Sequence, residues 1–196
     1  MAKRLVVLVS GNGSNLQALI DNQGADYQIV AVISNKLDAY GLTRSTQANI
    51  PSLVLTLKSF KDIGKTRLDY DLELAKLISI YQPDLVVLAG WMLIVSPQFI
   101  DALGGKLINL HPALPDQFAG AHAIEEAFKA YQRGEITFTG CMVHYVIPEV
   151  DAGPVIAQAR VPILADDTLE KLKERMHQTE HQLIVHATKL ALRDSD

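Results

Sequence analysis

Residues 107–112 read LINLHP, and the pair Asn109 and His111 is where the sequence first offers chemistry. The two stand two apart in a strand-like run, so their side chains face the same way. A proline follows directly, which places them near the C-terminal end of the strand, where open α/β sheets bind ligands. The asparagine amide can donate to an oxyanion. The histidine can act as acid or base, and a nearby carboxylate would hold its ring and favour the imidazolium. EVDAGPV, residues 149–155, supplies such carboxylates in Glu149 and Asp151, in a turn before a strand. Asn109, His111 and Asp151 together describe acyl-type transfer with a general acid/base and an oxyanion donor. The separation of His111 from Asp151 along the chain leaves a plain surface turn equally open. Neither Ser96 nor Cys141 carries the signature of an activated nucleophile.

A second candidate is GNGSNL, residues 11–16, which follows a strand and opens a helix. Glycines permit close backbone approach, and free amides at a helix N-terminus favour an anion. Leu16 stands where the dinucleotide fingerprint has its third glycine, and the Lys-Ser/Thr of a P-loop is missing. A single phosphate, or no more than a tight turn before a capped helix, fits this pattern.

The elements that must position these groups are an alternation of strands and helices. Short apolar runs at 4–9, 28–33, 52–56, 84–88 and 106–110 suit a parallel sheet covered on both faces. Helical patterns fill the gaps at 15–22, 40–48 and 64–81, the last with Leu68, Leu72, Ala75, Leu77 and Ile78 as its apolar stripe and Pro83 as its stop. A helix at 121–133 follows. Then two strands, 137–146 and 154–162, with a turn between them, predict an antiparallel or mixed edge. Asp166, Asp167 and Thr168 can cap a long last helix over 169–192. The fold class is therefore α/β: a doubly wound, mostly parallel, Rossmann-like sheet with an antiparallel C-terminal part. No repeat or linker divides the 196 residues, which predict one domain.

Composition narrows the function classes. A formal net charge of −4 gives no basic footprint for nucleic acid. No apolar run approaches the ~18 residues that span a membrane, and the N-terminal apolar stretch is too short for a signal peptide. A cytoplasmic protein is expected. The one cysteine excludes an intrachain disulfide and a thiolate metal cluster. His177, His181 and His186 lie on the last helix, with only the first two on one face, and no metal is expected.

Six segments, in order, resemble the glycinamide ribonucleotide formyltransferases, the folate-dependent enzymes of purine synthesis: SGNGSNLQALID at 10–21, ISNK at 33–36, YDLEL at 70–74, PDLVVLAGWM at 83–92, INLHPALP at 108–115, and TGCMVHYV with EVDAGPVI across 139–156. The resemblance implies transfer of a formyl group from 10-formyltetrahydrofolate, a co-substrate, to the amine of glycinamide ribonucleotide. It implies that Gly13, Ser14 and Asn15 hold the substrate phosphate together with Arg67, and that Asn109, His111 and Asp151 are catalytic. It places Trp91, Met92, Leu93, Ile94 and Val95 along the folate pocket, with Ile147, Pro148, Glu149 and Val150 closing over the pterin. Glu180 matches a glutamate near the substrate amine. Residues 1–100 become a phosphate-binding half and 101–196 a catalytic and folate half of one domain.

The partners implied are glycinamide ribonucleotide and folate, with neither nucleic acid nor membrane, in a monomer or homodimer. Leu93 stands where many members have arginine, and HPALP is one residue shorter than their His-Pro-Ser-Leu-Leu-Pro, in front of an expected glycine-loop lid. His122 is a candidate contact in that lid, and His144 is read as structural. Methionyl-tRNA formyltransferases and formyltetrahydrofolate deformylases share parts of the pattern. A nonenzymatic phosphate-binding module is the rival of a different class.

Overall fold

The computed structural model describes residues 2–193. Seven strands form one sheet in the order β3-β2-β1-β4-β5-β6-β7. They are β1 (Lys3–Val9), β2 (Tyr27–Ser34), β3 (Ser52–Val54), β4 (Leu85–Leu88), β5 (Leu107–His111), β6 (Phe138–Tyr145) and β7 (Val155–Pro162). The pairings through β5 are parallel; β5–β6 and β6–β7 are antiparallel. This is the doubly wound architecture with an antiparallel C-terminal part that the strand and helix alternation predicts.

Alternation along the strands sends side chains into two cores. Leu5, Val7 and Val9 face one side, under α1 (Ser14–Asp21), while Val6 and Leu8 face the other. α2 (Tyr40–Gln47) lies beside α1. The second core is covered by α3 (Leu57–Asp62), α4 (Arg67–Ile80) and α5 (Pro97–Ala102). α6 (Ala123–Gln132) and α7 (Leu169–Arg193) return to the first core. Strand order reverses between β1 and β4, and the loops after these two strands meet at that switch point. The Ser10 amide donates to the Gly90 carbonyl at 3.1 Å, and the Met92 amide to Ser10 Oγ at 2.9 Å. An open α/β sheet presents its ligand crevice there.

The expected helix over 64–81 is α4, which starts three residues later, and a separate short helix, α3, precedes it. Gly64 sits in a left-handed turn that ends α3, and α4 begins only after Thr66, whose side chain forms a reciprocal capping box with Asp69. The buried stripe of α4 is Tyr70, Asp71, Leu74, Ala75 and Ile78; Leu68 and Leu72 are 39% and 38% exposed. A buried carboxylate takes one place on that stripe, which turns Leu68 and Leu72 outward. α5 was unexpected too, although its start is written in the sequence as Ser96, which caps the Phe99 amide, followed by Pro97. Among the described residues no helix is long and apolar enough to cross a membrane.

The turn between β6 and β7 depends on Gly153. A Cβ there would lie 1.8 Å from the Tyr145 carbonyl oxygen, so the returning strand could not close against β6. Gly153→Ala should therefore cost roughly 1–3 kcal/mol, the usual range for overpacking. Gly24→Ala, whose Cβ meets nothing within 4 Å, should be nearly neutral. Denaturant midpoints compare the two, and equal midpoints would refute the steric account.

Candidate active site

β5 carries Asn109 and His111 to the C-terminal end of the sheet on one face, and β6 pairs antiparallel beside it so that His144 lies opposite Asn109. The turn after β6 folds back over both. Its Asp151 adopts a left-handed backbone (φ 55°), which aspartate tolerates better than most residues. The carboxylate then divides its oxygens. Asn109 Nδ2 donates to Oδ1 at 3.3 Å, while His111 Nδ1 stands 3.4 Å from Oδ2 and the Gly120 amide donates to Oδ2 at 3.1 Å. Asn109, His111 and Asp151 are thus brought together.

His144, read as structural, packs against the same group. Its Nδ1 donates to the Tyr145 carbonyl at 2.9 Å, leaving Nε2 to accept from Asn109 Nδ2 at 3.3 Å. Asn109 therefore divides its amide hydrogens between Asp151 and His144. The sequence did not show the pairing of His144 with Asn109, because that place comes from strand register, which no local pattern reports. It did not show the lid contacts either. In the shortened stretch after HPALP, Asp116, Phe118 and Gly120 all take positive φ, and the turn brings the Phe118 carbonyl to 3.0 Å from His111 Nε2.

Both nitrogens of His111 thus face oxygens. Burial nevertheless lowers its pKa, outweighing the upward pull of Asp151 first and the Phe118 carbonyl second. This modifies the expected resting imidazolium. The ring is neutral at rest and flanked by acceptors that welcome a proton during a reaction. Burial pushes the Asp151 carboxyl up, but its contacts with His144 and the Gly120 amide and the nearby His111 ring hold it below its ordinary value. Cys141 is buried, its thiol pushed up to about 12 mainly by desolvation, and is no nucleophile.

A pocket of about 280 Å³ opens directly onto these groups. It is lined by Trp91, Met92, Leu93, Ile94 and Val95 from the loop after β4, by Ile147, Pro148, Glu149 and Val150 from the turn after β6, and by Asn109, His111, His144 and Asp151. All the residues expected along the folate pocket meet there, drawn from both halves of the chain. Met92 and Ile94 are 60% and 68% exposed at its mouth, whereas Trp91 is buried with its Nε1 unpartnered.

At the other end of the site, α1 begins at Ser14 with no capping side chain, so its first amides are available to an anion. Gly13 precedes it with φ 73°, and a Cβ there would lie 2.7 Å from the Gly41 Cα. Asn15 Nδ2 donates to Glu180 Oε2 at 3.3 Å, and His177 Nδ1 contacts the same oxygen at 3.0 Å. Glu180 is buried and ties the first turn of α1 to α7. Asn15 Oδ1 is buried without a partner.

Arg67 is taken elsewhere. At the start of α4, on the sheet face opposite α1, its Nε pairs with Asp71 at 2.8 Å, and it donates to the Ile94 carbonyl. The buried Asp71 carboxylate, which also accepts from the Ser96 amide, explains the placement: it lies one turn along the helix and demands a cation. Arg67 is therefore tied to the loop after β4, at the backbone of the pocket-lining Ile94. His122 is exposed at the start of α6 and does not line the pocket. Among the described residues no group of three or more His, Cys, Asp or Glu could hold a metal ion.

The formyl transferase family model matches residues 3–188. The phosphoribosylglycinamide formyltransferase of Dictyostelium discoideum is 48% identical over 202 residues, spanning 97% of this chain and 98% of that protein. That of Schizosaccharomyces pombe is 46% identical over 208 residues and spans 100% of both. The crystal structure of phosphoribosylglycinamide formyltransferase from Streptococcus pneumoniae TIGR4 superposes with a TM-score of 0.86 at 38% identity, covering 95% of this chain and 97% of that one.

The His111 ring should titrate below the ordinary histidine value of about 6.5. Asp151 is the largest influence raising its pKa, so Asp151→Asn should shift the titration lower still. NMR of the imidazole across pH reads both shifts; an upward movement in the variant would contradict the assignment.

Proposed function

The chain belongs to the formyl transferase family, and we propose that Asn109, His111 and Asp151 carry the chemistry of its reaction. The enzyme transfers the formyl group of 10-formyltetrahydrofolate to the amine of glycinamide ribonucleotide, giving formylglycinamide ribonucleotide and tetrahydrofolate in purine synthesis. Relatives matched from end to end bear this activity in their names, so a deformylase or a nonenzymatic binding module is not favoured. The observation that carries the catalytic reading is the divided Asp151 carboxylate, one oxygen toward Asn109 and the other toward His111.

The substrate amine attacks the formyl carbon, forming a carbon–nitrogen bond and a tetrahedral oxyanion. The Asn109 amide turns to that oxyanion, exchanging one of its two long resting hydrogen bonds for a charge-assisted one. Neutral His111 accepts the proton of the attacking amine, directly or through water, and the imidazolium is stabilised by Asp151. Collapse breaks the bond between the formyl carbon and N10, and the proton passes to N10. His144 holds the Asn109 amide in place throughout.

The pocket beside these groups fits the folate: it is apolar along Trp91 to Val95, and the turn 147–150 offers backbone groups for hydrogen bonds to the pterin. Arg67, paired with Asp71, anchors the loop after β4 at the Ile94 carbonyl, and the phosphate falls to the backbone amides of the glycine loop. Gly13, Ser14 and Asn15 hold the phosphate, and Glu180 faces the substrate amine. Within one domain, residues 1–100 supply the phosphate loop and 101–196 the catalytic group, with Trp91–Val95 shared. We place the reaction in the cytoplasm, on two small-molecule partners without nucleic acid or membrane, in a monomer or homodimer.

The test follows tetrahydrofolate release with both substrates present. Turnover should require both, and Asn109→Ala and His111→Ala should each lower kcat by about 10²–10³ with the fold intact, the usual consequence of losing an oxyanion donor or a general base. Near wild-type kcat in either variant would remove that residue from the mechanism, and formate release without the ribonucleotide would point to a hydrolase.

In wild type, the acid limb of the kcat/KM profile should fall below pH of about 6.5, because activity is lost as His111 of the free enzyme gains its resting proton. Asp151→Asn should move that limb lower while reducing the rate. A limb shifted upward would reverse the assigned roles.

A further inference from the structure

α2 meets the glycine loop at two places. The Gly41 amide donates to the Gly11 carbonyl at 3.1 Å, so the helix backbone abuts the loop. One turn further on, Arg44 grips the next residue with a fork: its Nε donates to the Asn12 carbonyl at 2.9 Å, and a terminal nitrogen donates to Asn12 Oδ1 at 3.0 Å. Its other terminal nitrogen donates to Gln17 Oε1, on α1, at 3.2 Å. The guanidinium also lies 4.9 Å from the centre of the Tyr40 ring, which braces it from the side.

The electrostatics of Arg44 are as notable as its reach. All three acceptors are neutral, and among the described residues no carboxylate pairs with it. Arg67 and Arg175, by contrast, are each matched with a buried aspartate. A rigid five-donor fork that spends three nitrogens on neutral oxygens keeps its full positive charge. That charge lies beside the uncapped start of α1, where the helix dipole already favours an anion. Asn12 is itself exposed, so without the fork nothing else in this network fixes the direction in which the loop turns into Gly13.

We propose that Arg44 is the positioning residue of the phosphate loop: it fixes Asn12 so that the amides of Gly13, Ser14 and Asn15 converge on one phosphate, and its unneutralised charge favours that phosphate as the dianion. This rests on the phosphate reading of the glycine loop given above.

The experiment compares glycinamide ribonucleotide with its counterpart lacking the 5′-phosphate, using wild type, Arg44→Ala and Arg44→Lys. Losing a charge-assisted fork should raise the KM for the ribonucleotide by about tenfold or more in Arg44→Ala. kcat at saturation and the KM for 10-formyltetrahydrofolate should hold, because neither depends on the loop. The preference for the phosphorylated over the unphosphorylated substrate should fall by the same factor. Arg44→Lys should recover part of it, restoring the charge without the fork. Added guanidinium should lower the raised KM of Arg44→Ala.

An unchanged ribonucleotide KM would overturn the proposal. So would a parallel loss in both KM values, kcat and melting temperature, which would mark Arg44 as a fold-stabilising residue only. If wild type itself shows no preference for the phosphorylated substrate, the phosphate reading fails first and Arg44 loses its role with it.

Discussion

A half-enclosed carboxylate that must be satisfied organises the catalytic end of this protein. Asp151 is removed from bulk water, and an ionised carboxylate in such a place is tolerable only with donors at both oxygens. Asn109 and Gly120 provide one each, from β5 and from the loop after it, with His111 on β5 and His144 on β6 close by. Each of these segments reaches Asp151 only if the antiparallel return of β6 is in register and the turn through Gly153 closes. The same contacts that satisfy the carboxylate therefore fix the geometry of Asn109 and His111. Stability at this spot and preorganisation for chemistry are one arrangement.

The opposite end of the site uses backbone rather than side chains. An uncapped helix start, a left-handed glycine and a close helix-to-loop contact leave amides free where most helices would cap them. Asn15 and Glu180 then connect this anion end to the catalytic end through a single hydrogen bond between α1 and α7. The two substrates would thus be held by different physics: charge and dipole for a phosphate, apolar surface and backbone groups for a flat heterocycle. Between the two ends lies the switch point of the sheet, where the loops after β1 and β4 are stitched together by Ser10.

Buried charge explains the departures from simple pattern reading. The apolar stripe predicted for α4 included Leu68 and Leu72, yet the helix turns them outward because Asp71 is buried and held by Arg67 and the Ser96 amide. The same pairing leaves Arg67 tied to the loop after β4. Hydrophobic periodicity counts apolar residues and is blind to a carboxylate whose partners come from another element. Glu180 illustrates the same point on α7, where a buried acid among apolar neighbours answers to Asn15 and His177.

The sequence by itself determined the sheet, covered on both faces, and the shared face of Asn109 and His111 at the end of β5. Strand runs, helix caps and the period-two spacing of those two residues are local, and local spacing decides which side chains share a face. The collinear segments also pointed to the nine residues of the apolar pocket, which the fold gathers into one cavity. Tertiary structure alone decided what lies across from them. His144 sits beside Asn109 through antiparallel register; the Phe118 carbonyl and Gly120 amide reach the site through left-handed turns in a shortened loop; Arg44 reaches the glycine loop from a neighbouring helix. These contacts join residues distant in the chain, and no local propensity carries information about a partner that only packing brings near.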